Sequence, residues 1–120
     1  MRYVWSLLFC ALALGPARGA VPVNETERIE YLIQSIEQLS TAKFIRNSST
    51  YDAKPAADHL RLKWREAGAR VKTAQQFIEL CASRSSVSGQ PYRIRFADGR
   101  VVTSEAFLRA KLKELDRPGR

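Results

Sequence analysis

Apolar residues recur at helical spacing in the first half of the chain. Asn24 and Glu27 suit the start of a helix, since Asn24 can accept a hydrogen bond from an unpaired backbone N–H. We expect this helix to end between residues 40 and 43. Its apolar stripe, with members three and four residues apart, consists of Ile29, Leu32, Ile33, Ile36 and Leu39.

Two further helices are predicted before residue 84. Pro55 suits the first position of the second helix, Asp52 or Lys54 lies near its cap, and Gly68 suits its end. Its buried stripe consists of Ala56, Ala57, Leu60, Trp64 and Ala67. Thr73 and Gln76 then form a capping box, which predicts a short helix over 74–83 with Phe77, Ile78 and Cys81 on its apolar side.

The pattern changes to strict alternation at residues 92–96, where Tyr92, Ile94 and Phe96 share one face. Asp98-Gly99 predicts a two-residue hairpin turn, followed by a return strand over 100–103. Ser104 is expected to cap a last helix. Residues 44–47 are expected to be extended and residues 48–52 to form a loop. We therefore predict a small α+β domain over 20–115, with three helices, a β-hairpin, a C-terminal helix and a frayed tail at 116–120.

The first 19 residues have the pattern of a secretory signal peptide. Arg2 precedes an apolar run that ends at Leu14, and Ala17 and Gly19 suit the small positions of a cleavage site. The run is shorter than the ~20 residues that span a bilayer. We expect cleavage after Gly19 or Ala20, and an exported protein without a transmembrane segment in the mature chain.

Charge and cysteine content narrow the function. Removing Arg2 and Arg18 takes the formal net charge from +8 to +6. Such a surface favours anionic partners. Only Cys81 remains after cleavage, so an intramolecular disulfide is excluded, and its apolar neighbours predict burial. With 1 histidine in the chain, no metal-ligand spacing appears, and no cofactor site is indicated.

Enzymatic readings remain as alternatives. A thiol enzyme would pair Cys81 with His59, although burial of Cys81 would suppress its thiolate. A small envelope hydrolase would instead use a serine of the 83–88 turn, but no nucleophile-elbow pattern surrounds those serines. A third class is a chaperone-like or inhibitor protein that acts on another envelope protein. The oligomeric state stays open.

Two segments present groups that bind anions. The serines of the 83–88 turn, with Gly89 and Arg84, can hold an anion, or they can satisfy backbone groups where the helix ends. Three arginines of the hairpin can grip phosphates. Their strand aromatics point to the other face, however, so we expect no nucleic acid. These arginines are Arg93, Arg95 and Arg100.

Several short motifs follow one another in a recognisable order: 44–47 (Phe-Ile-Arg-Asn), His59-Leu60 with Lys63, Thr73-Ala74 with Phe77-Ile78, Ala82-Ser83 with Ser85-Ser86, Ser88-Gly89 and Pro91-Tyr92. Together they resemble the YfeK-like family of small exported bacterial proteins, a domain of unknown function. The resemblance covers most of the chain, from about Asn24 to Leu115. It implies a periplasmic location and brings no known activity, cofactor or catalytic residue.

The polar members of these motifs are the candidate ligand-binding residues. One hypothesis is that the Arg46 segment docks on the serine turn through buried hydrogen bonds. The other is that the set lines a small anion-binding cleft. We therefore predict a periplasmic, non-enzymatic binding module for an envelope protein or an anionic envelope component. The candidates are Arg46, Asn47, His59, Lys63, Arg84, Ser85, Ser86, Ser88 and Tyr92.

Overall fold

A computed structural model of the protein describes residues 24–118, and the predicted signal peptide at 1–19 lies outside them. Within these residues, four α-helices and four strands form an α+β domain, which confirms the predicted class, although two of the strands lie between the first and second helices. A short 3-10 turn, Gly68–Arg70, follows the second helix. The elements are α1 (Glu25–Glu37), β1 (Lys43–Arg46), β2 (Ser49–Tyr51), α2 (Ala53–Ala67), α3 (Ala74–Cys81), β3 (Arg93–Arg95), β4 (Val101–Thr103) and α4 (Ser104–Asp116).

The strands form one antiparallel sheet in the order β2-β1-β3-β4. Phe44 lies opposite Tyr51 on one side and Ile94 on the other. Because side chains alternate along a strand, Arg46 also projects from the face that carries Phe44. We call this the inner face, since Phe44 and Ile94 are buried on it among residues of the helices.

The core lies between the inner face and the helices. α1 contributes the stripe predicted from its spacing, and α3 buries Phe77, Ile78 and Cys81. Trp64 of α2 meets the Phe77 ring edge to face, with 6.1 Å between centroids. The capping box of Thr73 and Gln76 is present. Cys81 has 1% of its surface exposed, which confirms its predicted burial.

The segment expected to be a loop at 48–52 contains a strand instead. β2 pairs with β1 through a two-residue turn formed by Asn47 and Ser48. Asn47 has a φ of 58°, and asparagine tolerates this left-handed conformation better than most residues. The sheet therefore has four strands rather than the two of a single hairpin.

The second hairpin has a three-residue turn, and not the predicted two-residue turn. Phe96 N–H donates to the Arg100 carbonyl at 2.8 Å, and Gly99 N–H donates to the Phe96 carbonyl at 2.9 Å. Gly99 has a φ of 92°, which a residue with a side chain rarely adopts. Its flexibility closes the loop over Ala97, Asp98 and Gly99.

Several helix boundaries also differ from the prediction. α2 begins at Ala53, before Pro55, and α3 ends at Cys81 rather than at residue 83. α1 ends at Glu37 because the chain leaves the helical ladder at Leu39, whose N–H donates three residues back to Ile36 at 3.0 Å. α4 is capped by Thr103 rather than Ser104. The Thr103 hydroxyl accepts from the N–H of Ala106 at 3.1 Å.

Candidate functional site

Five polar side chains meet between the inner face and helix α2. Strand alternation places Arg46 and Tyr51 on the inner face, and Tyr92 shares that face two residues before Ile94. His59 and Lys63 lie one helical turn apart on α2, so both point to the same side. We call these five residues the cation cluster: Arg46, Tyr51, His59, Lys63 and Tyr92.

Arg46 joins the strands to α2. Its Nη2 donates to the Tyr51 hydroxyl at 2.7 Å, and its guanidinium carbon lies 5.0 Å from the Tyr51 ring centroid. Its Nη1 lies 3.5 Å from His59 Nδ1 and 3.4 Å from His59 Nε2. One nitrogen cannot point along both ring lone pairs, so the contact with His59 is proximity rather than a directed hydrogen bond.

Tyr92 links the other two members of the cluster. Lys63 Nζ donates to the Tyr92 hydroxyl at 3.0 Å and to the Arg84 carbonyl at 3.3 Å. The Tyr92 hydroxyl lies 3.3 Å from His59 Nε2. In the tautomer with the proton on Nδ1, this hydroxyl accepts from Lys63 and donates to His59. The buried Tyr92 ring thus carries a fixed polar end.

The cluster is rich in donors and poor in acceptors. Among residues 24–118, neither Arg46 nor Lys63 has a carboxylate within ion-pair distance. Both are only partly exposed. An arginine carries five N–H donors and a lysine three. The site therefore holds two positive charges and spare donors that an anion would satisfy.

Burial and these charges shift two pKa values. Burial lowers the pKa of His59 below its ordinary 6.5, and the positive charges of Arg46 and Lys63 lower it further against a smaller opposite effect of Glu66. His59 is therefore neutral at pH 7. The hydrogen bond from Arg46, together with one involving Ser49, lowers the pKa of Tyr51 from 10.0.

A cavity of about 190 Å³ adjoins the cluster. Its polar lining consists of Arg46, Tyr51, His59 and Tyr92 of the cluster together with Arg93 and Ser104. The rest of the wall is mostly apolar and brings together α1, β1 and α2, with Ile36, Phe44, Ala56 and Leu60. A largely apolar cavity thus lies directly beside the cluster that holds Arg46 and Lys63, two cations with no carboxylate partner among residues 24–118.

The serine turn, residues 83–89, is built differently. Ser83 Oγ donates to the Ile78 carbonyl at 2.7 Å, which anchors the turn to α3. Ser85 Oγ accepts from the N–H groups of Val87 and Ser88 at 3.2 and 3.3 Å. Both serines are buried. Their hydroxyls therefore satisfy the local backbone.

The remaining candidates lie around these two regions. Ser88 Oγ donates to Asn47 Oδ1, so the turn of the first hairpin touches the serine turn. The Arg84 guanidinium donates to the Gly89 carbonyl at 3.4 Å, and only the Arg84 backbone reaches Lys63. Ser86 is exposed. The structure thus brings Arg46, His59, Lys63 and Tyr92 together and separates them from the serines.

The sequence pattern does not identify Tyr51 as a site residue, because it predicts a loop over residues 48–52. The strand signal is short: Thr50 and Tyr51 are residue types common in strands, and Asn47 is one common in tight turns. The proposed pair of Cys81 and His59 is not formed by hydrogen bonding. His59 contacts Arg46 and Tyr92, whereas burial in the core raises the pKa of the Cys81 thiol.

Residues 24–118 also bear on two other properties, metal binding and membrane spanning. No three histidine, cysteine, aspartate or glutamate side chains in that range are grouped closely enough to hold a metal ion. No helix within it has the length and apolar character needed to cross a membrane.

Comparison with known proteins places the chain in a family. It is 34% identical over 92 residues to the uncharacterized protein YfeK of Salmonella typhimurium, and the aligned region covers 77% of each chain. No solved structure matches it significantly. Residues 23–116 match a family of unknown function, DUF5329. The resemblance seen in the short motifs is thereby confirmed, and the chain belongs to this YfeK-like family of unknown function.

Proposed function

We propose that this protein is an exported, non-enzymatic binding module that holds an anionic ligand of the bacterial envelope in the cation cluster. One observation carries the proposal: Arg46 and Lys63 are partly buried and lack a carboxylate partner within the described residues. Partly buried charges are costly unless they are paired. A bound anion would supply the missing partner.

The neighbouring groups support binding over catalysis. A general base needs a substrate proton within reach, yet the His59 ring faces one cation and one hydroxyl, Arg46 and Tyr92. The hydroxyls of the cluster are not placed as accessible nucleophiles, because Tyr51 accepts from Arg46, and Tyr92 accepts from Lys63 and is buried. These contacts position hydrogen-bond donors, which is what anion recognition requires.

The envelope location is part of the proposal. It is supported by the signal-like residues 1–19, which precede the folded domain. Expression of the full chain in a Gram-negative host, followed by fractionation and N-terminal sequencing, tests it. We expect periplasmic protein that begins at Ala20 or Val21. Uncleaved protein in the cytoplasm would contradict this part alone.

The single histidine provides a direct test of binding. Its Cε1–H resonance in proton NMR reports on the cation cluster alone, because the chain holds 1 histidine. We expect acetate and inorganic phosphate to shift this resonance saturably at pH 7. Arg46→Met and Lys63→Met should each weaken acetate binding at least about tenfold, the loss expected for a charged hydrogen bond.

Arg95→Met is the matched control. Arg95 is exposed on the opposite face of the sheet, where it pairs with Lys43 across the strands. Its removal lowers the net charge by the same amount but leaves the cluster intact. If Arg95→Met weakened acetate as much as Arg46→Met, the shift would report only general charge and the proposed site would be wrong.

A further inference from the structure

The cavity beside the cation cluster narrows the class of ligand. Resting on the proposed function, we infer that the protein binds a compact amphipathic carboxylate, with an anionic head on the cluster and an apolar body in the cavity. The juxtaposition carries this inference. Arg46 and Tyr51 are at once members of the cluster and part of the cavity wall, so one small molecule reaches both.

The volume of the cavity sets the size of the apolar body. It measures about 190 Å³, somewhat more than the ~150 Å³ of an apolar protein cavity that takes up benzene. A single six-membered ring therefore fits. A long acyl chain is larger than this volume and would extend out of the cavity.

The apolar part of the wall disfavours a polar body, although Ser104 also lines the cavity. Phe44 and Leu60 are buried and offer no side-chain hydrogen bond. A sugar or a peptide unit placed against them would leave its own polar groups unsatisfied, which is unfavourable. An aromatic or cyclic hydrocarbon unit loses nothing in the same place and gains by leaving water.

Three probes separate the head from the body: acetate, benzoate and benzyl alcohol. Acetate has the head without the body, and benzyl alcohol has the ring without the charge. The His59 resonance of the purified protein gives the affinity for each. We expect benzoate to bind at least about tenfold more tightly than acetate, as burial of part of a ring predicts, and benzyl alcohol to bind more weakly than benzoate.

One substitution fills the cavity without removing a polar group of the cluster. Ala56 lines the cavity and is partly exposed at its wall, so Ala56→Leu should remove most of the preference for benzoate and leave acetate affinity unchanged. Thermal unfolding of the variant checks that it folds. If it does not, the comparison of benzoate with acetate on the unaltered protein still decides.

The outcomes distinguish the two proposals. Equal affinity for benzoate and acetate, with both lost in Arg46→Met, would overturn the amphipathic ligand and keep the anion site. Equal affinity for benzoate and benzyl alcohol, unaffected by Arg46→Met, would overturn the anion site. Tighter benzoate binding that needs both Arg46 and an unfilled cavity is the result that we expect.

Discussion

The serine turn and the cation cluster hold most of the polar residues that the sequence singled out, but their hydrogen bonds go to different places. In the serine turn, Ser83 and Ser85 bond to backbone groups of their own neighbourhood. In the cation cluster, Lys63 bonds to the Tyr92 hydroxyl 29 positions along the chain, and Arg46 bonds to Tyr51 across the first hairpin and lies against His59 of α2. The first arrangement closes a turn, and the second assembles a site.

This difference shows that residue type alone does not identify a binding group. A buried polar atom must have a partner, and the location of that partner decides its role. Ser85 has its partners within three residues, so it has little left for a ligand. Arg46 keeps spare donors because its described partners accept only some of them.

The largest predicted effect concerns Cys81, which ends α3 and is separated from the serine turn by Ala82. It is 1% exposed and burial raises its pKa, so both access and thiolate formation are suppressed. We expect iodoacetamide to modify Cys81 at least about 100-fold more slowly in the native protein than in urea, in keeping with rare opening of a folded core. Mass spectrometry of the peptide that contains Cys81 separates it from Cys10. Comparable native and denatured rates would revive a thiol enzyme at this end of the molecule.

The second prediction compares one substitution in each region, which should have opposite effects on stability and on acetate affinity. Ser85→Ala removes the acceptor of two N–H groups and should cost about 1–2 kcal/mol of unfolding free energy while acetate affinity stays the same. Arg46→Met should do the reverse, with a stability change of about 0.5 kcal/mol or less and a large loss of affinity. Urea unfolding and the His59 resonance measure the two quantities.

Ser86 supplies the control for this exchange. It is an exposed neighbour of Ser85 for which no hydrogen bond occurs within residues 24–118. Ser86→Ala should therefore change stability by less than about 0.5 kcal/mol. A large loss of stability in Arg46→Met, with little change in Ser85→Ala, would instead support the hypothesis that the Arg46 segment ties the helices to the hairpin.

A third, smaller effect is expected at Asn47, which follows Arg46 and contacts the serine turn at Ser88. Asn47 has a φ of 58°, and Asn47→Ala should cost about 1 kcal/mol because alanine disfavours this conformation. Asn47→Gly accepts the same φ and loses the same contact with Ser88. Glycine should therefore be more stable than alanine here in urea unfolding. Equal losses would mean that the hydrogen bond to Ser88, and not the backbone, sets the cost.

The helices were the predictable part of the fold because their signals are local. Each of the two caps, at Asn24 and at Thr73, involves residues no more than four positions apart. The same holds for each step of the apolar stripe of α1. The first hairpin was missed because Asn47-Ser48 lacks the glycine that marks most two-residue turns. β2 has only Ser49–Tyr51, and such a short strand is defined by its pairing with β1.

The site was predictable as a set of residues but not as a geometry. Arg46, His59, Lys63 and Tyr92 were nominated by the sequence, whereas the contacts among them join positions up to 33 apart. The residues around Lys63 do not indicate that its ammonium group donates to Tyr92. The hydrogen bond from Arg46 to Tyr51 depends on the first hairpin, which the sequence did not predict. The cavity depends on the approach of α1, β1 and α2, and tertiary packing alone sets it.

The smallest predicted effect is the pH dependence of the cation cluster. Arg46, Lys63, Tyr92 and the more distant Glu66 surround His59, whose pKa is lowered first by burial and then by the two cations. His59 binds a proton more readily in the unfolded chain than in the folded one. Its contribution to the free energy of unfolding should therefore be fully present above pH 6.5 and be lost as the pH falls through the folded pKa of His59. His59→Gln should remove this part of the decline in urea unfolding.

A bound anion should reverse the shift, since an opposite charge favours the protonated imidazole. The pKa of His59, followed by its Cε1–H resonance, should therefore rise when acetate replaces chloride at equal ionic strength. Arg46→Met should raise it in chloride as well, because a like charge is removed, whereas Arg95→Met should leave it unchanged. A pKa of His59 at or above 6.5 in chloride would contradict the lowering by burial and the two cations. A pKa indifferent to acetate would show that the cluster does not hold the anion beside the ring.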